Sequence, residues 1–189
     1  MRIPLLLLST FLVVFLLVGT EASAASYKKS LNRWSRSDSV FVVRDLKAEI
    51  LWSATFLSDE MIFAQAKAFQ KAYRVPADER EEFLATLKTK RGSEVLFFVS
   101  FYSHDHRFDD LTNPLAKWDL RIESGGEAFR PNRVEKIVRL SPLESLFFPY
   151  VSPWSKSYYV WFPSEVLNRP FPWNLSIFGP RAHSTLIWK

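Results

Sequence analysis

The side chains best suited to chemistry sit in one stretch, Ser103-His104-Asp105-His106-Arg107-Phe108-Asp109-Asp110. In an extended chain His104 and His106 project to the same side. With Asp109 or Asp110 they make a donor set able to hold a divalent metal. A metal-dependent enzyme centred on His104, His106 and Asp109 is therefore one reading of the chain. The spacing marks no third ligand, however. A hydrophilic turn, in which Asp105 or Asp109 bonds nearby backbone amides, accounts for the same residues. His183, the remaining histidine, falls in a strand-like segment and reads as a packed or edge-strand residue.

Other chemistries lack their residues. The chain has no cysteine, which removes disulfides, thiolate catalysis, cysteine-ligated zinc and a cysteine lipid anchor. There is no Gly-x-Ser-x-Gly elbow, no His-Glu-x-x-His helix and no glycine-rich phosphate loop. The carboxylate pairs Glu81-Glu82 and Asp109-Asp110 are sequence neighbours, and adjacent residues on a helix point apart rather than across a cleft. The balance falls on a non-catalytic protein, with no cofactor expected beyond the metal of the alternative reading.

The second unusual stretch runs from Phe147 to Pro163 and is dominated by aromatic residues. Its prolines confine any central strand to about Ser157–Phe162. One face of that strand, Tyr158, Val160 and Phe162, suits a core. The opposite face, Tyr159 and Trp161, needs a second cover: the helices, a partner or a flat ligand such as a sugar ring. Left exposed with Trp154, these residues form a ligand-binding platform. The partner class is then an envelope protein or a glycan.

These residues must be positioned by a fold that the hydrophobic pattern describes. Ala48, Ile50, Trp52, Ala54 and Phe56 alternate with polar residues, as in a half-buried strand. From Ser58 the period becomes helical through Ile62, Ala66, Phe69 and Tyr73. Val75-Pro76 breaks it, a second helix carries Phe83, Leu84 and Leu87, and Gly92 stops that helix. Val95–Tyr102 is apolar on both faces and reads as a central strand covered twice. Strand signals follow at Trp118–Glu123, Arg133–Leu140, Tyr158–Phe162, Trp173–Phe178 and His183–Trp188, the last two forming a hairpin around Gly179–Ala182. With Ser39–Val43 this makes about eight strands. The fold class is a mainly β, single β-sandwich with a helical pair inserted at about 58–91, and strand count alone admits an immunoglobulin-like order.

The chain ends of this domain, 39–189, are set by what precedes it. Residues 1–24 carry a charged start, an apolar run from Leu5 to Val18 and Ala22-Ser23-Ala24, the pattern of a secretory signal cut after Ala24. The run is shorter than the roughly 20 residues of a comfortable membrane span. The basic cluster Lys28, Lys29, Arg33 and Arg36 keeps an uncleaved anchor, and so a membrane-anchored subunit of an envelope assembly or export system, as the alternative. Residues 25–38 read as a basic linker. Export without cysteine suits a bacterial periplasm or secretion. A net charge of +5 without a recognition motif does not suggest nucleic acid. Of 7 Trp, 6 Tyr and 17 Phe, only Phe11 and Phe15 lie within 1–24, so the aromatic surplus belongs to the domain.

Overall fold

The computed structural model describes residues 26–42, 47–180 and 182–189; the signal, or anchor, at 1–24 lies outside them. Nine strands form two antiparallel sheets. The five-stranded sheet has the order β1-β2-β3-β7-β6, and the four-stranded sheet the order β5-β4-β8-β9. Here β1 is Ser35–Val42, β2 Lys47–Phe56, β3 Val95–Ser103, β4 Asp119–Ser124, β5 Glu127–Phe129, β6 Arg133–Ile137, β7 Lys156–Phe162, β8 Trp173–Phe178 and β9 His183–Trp188. An immunoglobulin order moves the chain to the opposite sheet between its second and third strands. In this chain β3 pairs directly with β2, so the sandwich is of a different order.

Residues 26–34 are helical (α1). The inserted pair is α2 (Asp59–Tyr73) and α3 (Ala77–Arg91), both placed between the paired strands β2 and β3. Ser58 caps α2 by accepting the Met61 N–H at 3.2 Å, with Asp59 and Glu60 at the positive end of the helix dipole. Arg74 ends it in the left-handed region at φ 55°, and Gly92 ends α3 at φ 64°. Phe69 and Phe83 lock the two helices together with ring centroids 4.4 Å apart.

Two cores result, one on each face of the five-stranded sheet. Between the sheets, Ile50, Trp52, Phe97, Phe101, Val160 and Phe162 meet Ile122, Leu175, Ile177 and Trp188. On the outer face, Leu96, Phe98, Tyr159 and Trp161 meet Leu31, Met61, Ile62, Leu84 and Phe147. The covered-twice reading of 95–102 thus holds for β3, and it extends to β7, whose residues 157–162 are all buried.

Three elements differ from the sequence reading. Residues 26–38 are not a linker but α1 and the start of β1, because Tyr27, Leu31 and Trp34 recur at helical spacing and pack against the outer-face core. The basic residues that dominate the composition of this stretch lie mostly outside that stripe. Arg36 is itself engaged, donating from Nε to the Ile187 carbonyl at 2.8 Å. The ninth strand, β5, is only three residues long. Gly125 and Gly126, at φ 59° and 84°, join it to β4 as a two-residue hairpin turn rather than merely ending a strand. Finally α4 (Pro142–Phe147) follows β6, its start marked by a capping box of Ser141 and Glu144. Among the described residues no helix is long and apolar enough to cross a membrane.

The sandwich is pinned along one side where β1 meets β9. Trp188 Nε1 donates to the Trp34 carbonyl at 2.9 Å, and Trp52 Nε1 donates to Ser184 Oγ at 2.8 Å. Ser184 in turn donates to Asp38. At the β8–β9 turn the Trp118 ring occupies the space a side chain at Gly179 would need. Gly179→Ala should therefore lower stability by about 1–3 kcal/mol through overpacking. A shift of the urea unfolding midpoint to lower concentration, with the slope unchanged, is the expected reading.

Candidate functional site

The 103–113 segment turns immediately after β3. Asp105 accepts the Arg107 backbone N–H at 3.1 Å and holds the Arg107 guanidinium at 2.6 Å, so the local side-chain bonds bend the chain. The extended geometry that would align the imidazoles is lost. His106 is 91% exposed and sits 3.4 Å from Asp109, while His104 is exposed and is held through its backbone N–H to the Glu49 carbonyl. The other oxygen of Asp109 takes Lys156 at 2.6 Å. Among the described residues no three His, Asp or Glu converge on a metal position. The site proposed at His104, His106 and Asp109 does not assemble.

What the acids build instead is a clasp. Asp110 accepts Lys136 Nζ at 2.6 Å, Thr112 N at 3.0 Å, Thr112 Oγ1 at 2.7 Å and the Tyr158 hydroxyl at 3.2 Å. Burial alone would raise the Asp110 carboxyl, but the bonds from Lys136 and Thr112 outweigh it and hold the group well below the usual carboxylate range. Burial pushes the Tyr158 hydroxyl up, so it stays a donor to Asp110. The loop is thereby tied to β6 and β7.

The aromatic platform is also corrected. Tyr159 is 7% and Trp161 1% exposed, beneath the helical layer. Trp161 Nε1 donates to the Lys90 carbonyl at 3.1 Å, and the Tyr159 hydroxyl donates to Glu144 at 3.0 Å. Cations close the remaining ring faces: Lys90 lies 3.3 Å from the Tyr159 centroid, and Arg133 lies 3.7 Å from that of Trp161. Burial against this layer lowers the Lys90 ammonium below its ordinary range. Trp154 alone remains outside, 79% exposed in the turn before β7.

A concave, ring-walled site lies elsewhere, at the end of the sandwich where β2 stops and β3 and β8 begin. Trp34, Phe56, Phe171 and Trp173 wall a cavity of about 340 Å³. Their rings form a chain, with Trp34 5.4 Å from Phe56, Phe56 5.3 Å from Trp173 and Trp173 4.7 Å from Phe171. The rim is charged but internally paired: Arg91 with Asp59 at 2.8 Å, Arg169 with Glu127 at 2.6 Å, and Glu94 accepting from Asn132 at 2.8 Å. Two residues lining the cavity, Trp34 and Arg169, carry a fully buried Nε hydrogen-bond donor with no partner among the described residues. Such donors cost about 1–3 kcal/mol each until an acceptor meets them. Aromatic walls with a few polar groups at the rim are the chemistry of a small-ligand pocket.

These residues come from α1, β2, the start of α2, the end of α3 and the turn after it, the β7–β8 connection and β8, so no sequence motif unites them. The one local signal was Trp34 completing the helical stripe of Tyr27 and Leu31, which placed it on a packed face.

No protein-family model matches the chain, and no curated protein matches it. Among solved structures it is similar to a novel protein of unknown function from Burkholderia pseudomallei K96243, with 10% sequence identity and a TM-score of 0.47. That likeness covers 88% of this chain and 83% of the other.

The clasp makes a pH-dependent prediction. A carboxyl lowered in the folded state adds stability above its unfolded value of about 3.9, and loses that contribution as pH falls further toward the folded value. Asp110→Asn should cost about 1.5–3 kcal/mol at neutral pH, the range for hydrogen bonds to a charged group. Denaturant titrations at several pH values should show the gap from the native protein closing below about pH 4.

Proposed function

We propose that the protein is an exported, non-catalytic envelope protein that works as a ligand-binding module. Its ligand is a small molecule with a flat apolar body. The observation that carries this reading is the chain of four rings, Trp34, Phe56, Trp173 and Phe171, walling one cavity. The rings of Trp34, Phe56 and Trp173 supply apolar contact to such a body. Three of the four acid and hydroxyl side chains at the cavity, all but Ser93, are engaged elsewhere in the fold. Ser58 caps α2, Asp59 pairs with Arg91 and Glu94 accepts from Asn132. That occupation supports holding a ligand over transforming one.

The export part of the reading rests on the sequence of residues 1–24, with the apolar run and the Ala22-Ser23-Ala24 site as its support. Intact-mass measurement of the protein recovered from bacterial cells should give a chain beginning at Ala25. A mass that retains Met1 would replace export with membrane anchoring.

The ligand part is tested with 2-naphthoate, which is flat, apolar and carries two acceptor oxygens. Trp34→Phe removes part of one ring wall, so affinity for 2-naphthoate should fall about 5-fold, the scale of about 40 Å² of lost apolar contact. Phe171→Ala, at an exposed wall position, should weaken binding with little effect on unfolding. Binding that survives both changes, measured by tryptophan fluorescence and calorimetry, would sink the assignment to this cavity.

A further inference from the structure

The outer face of the five-stranded sheet is only partly roofed by helices, and beyond them it carries a row of serines, open at Ser37, half-buried at Ser53 and buried at Ser100 and Ser157. Ser37 on β1 pairs across the ladder with Ser53 on β2, Ser53 with Ser100 on β3, and Ser100 with Ser157 on β7. Direct cross-strand partners share a face. A row of hydroxyls therefore crosses four strands. It lies two residues along from Phe98 and Tyr159, on their side of the sheet.

A second wall rises from the segment between α4 and β7. Tyr150, Ser152 and Ser155 stand across from Ser37, Ser53 and Ser100, enclosing a trough of about 380 Å³. Within it Ser37 and Ser53 are bonded at 2.8 Å, and Ser152 and Ser155 at 2.7 Å. At the end of the row Ser157, 3% exposed, has a buried hydroxyl oxygen with no partner. Past Ser37 and Tyr150 the trough continues into a broader hollow of about 650 Å³ between α1 and α4. The combined space suits a chain rather than a single ring.

We infer that this trough binds a polyhydroxylated chain, a glycan, independently of the aromatic cavity, with which it shares no lining residue. Each serine hydroxyl both donates and accepts, as each sugar hydroxyl does, so the lining matches that ligand group by group. Asp38 is the one charged side chain in the serine-lined part, which favours a neutral sugar there over an anionic one. Trp154, exposed in the turn whose flanking residues Ser152 and Ser155 form the wall, offers the apolar ring face that sugar C–H groups pack on.

The experiment is calorimetric titration of the protein with maltohexaose, cellohexaose and chitohexaose. At least one should bind with submillimolar affinity. Trp154→Ala and Ser53→Val should each weaken that binding 5-fold or more, leaving the affinity for 2-naphthoate unchanged. Trp154 is on an exposed turn, so its variant keeps the test valid even where Ser53→Val disturbs the sheet. Absence of binding to all three oligosaccharides at millimolar concentration overturns the inference, as does binding that both variants retain. Neither result touches the aromatic cavity, whose own ligand is read separately.

Discussion

The structure depends on one constraint: β3 and β7 lie side by side at the centre of a sheet and are apolar on both faces. Phe97, Phe101, Val160 and Phe162 point one way, and Leu96, Phe98, Tyr159 and Trp161 the other. Apolar area is stabilised by about 25 cal/mol per Å² removed from water, so leaving either face wet forfeits several large side chains at once. One cover is the four-stranded sheet. The other is helical, and it explains why α2 and α3 interrupt two strands that otherwise pair as neighbours. The molecule is consequently three layers deep, helices on sheet on sheet.

Covers of finite extent leave edges, and both candidate sites are edges. The aromatic cavity lies where the ends of β2 and the starts of β3 and β8 outrun the packing of helix and sheet, so rings continue the core with space between them. The trough lies where the helical layer ends across the outer face. There the residues change from Phe98 and Tyr159 to Ser100 and Ser157 two positions along each strand. Aromatic residues thus play three parts, filling the two cores, walling the cavity and, at Trp154, standing in solvent. Tyr159 and Trp161 belong to the first group, because their face of β7 had to be covered and polar tips on both rings found Glu144 and the Lys90 carbonyl.

Much of the framework was legible because hydrophobic periodicity reports local geometry directly. The α2–α3 pair, the two-faced β3 and the β8–β9 hairpin all follow from spacing, caps and turn residues. What was misread had a signal that composition outweighed. Tyr27, Leu31 and Trp34 spelled a helix beneath a basic stretch, and Ser141 with Glu144 spelled a capped start that the weak alternation before it obscured. Gly125-Gly126 marked a hairpin whose second strand, at three residues, is too short to alternate convincingly. The histidine–aspartate stretch failed for a different reason. Its alignment required extension, and a short-range bond from Asp105 to the Arg107 amide turned the chain before either imidazole could be placed.

The sequence by itself determined the elements, the double burial of the central strand and the absence of thiol chemistry, since periodicity and residue type act over a few residues or not at all through space. The tertiary structure alone decided where the candidate surfaces are. Trp34, Phe56, Arg169 and Trp173 are brought together from distant parts of the chain, and the serine row exists only through the register of four strands. A partnerless donor is likewise a property of its surroundings: folding buried the N–H groups of Trp34 and Arg169 and supplied no acceptor among the described residues.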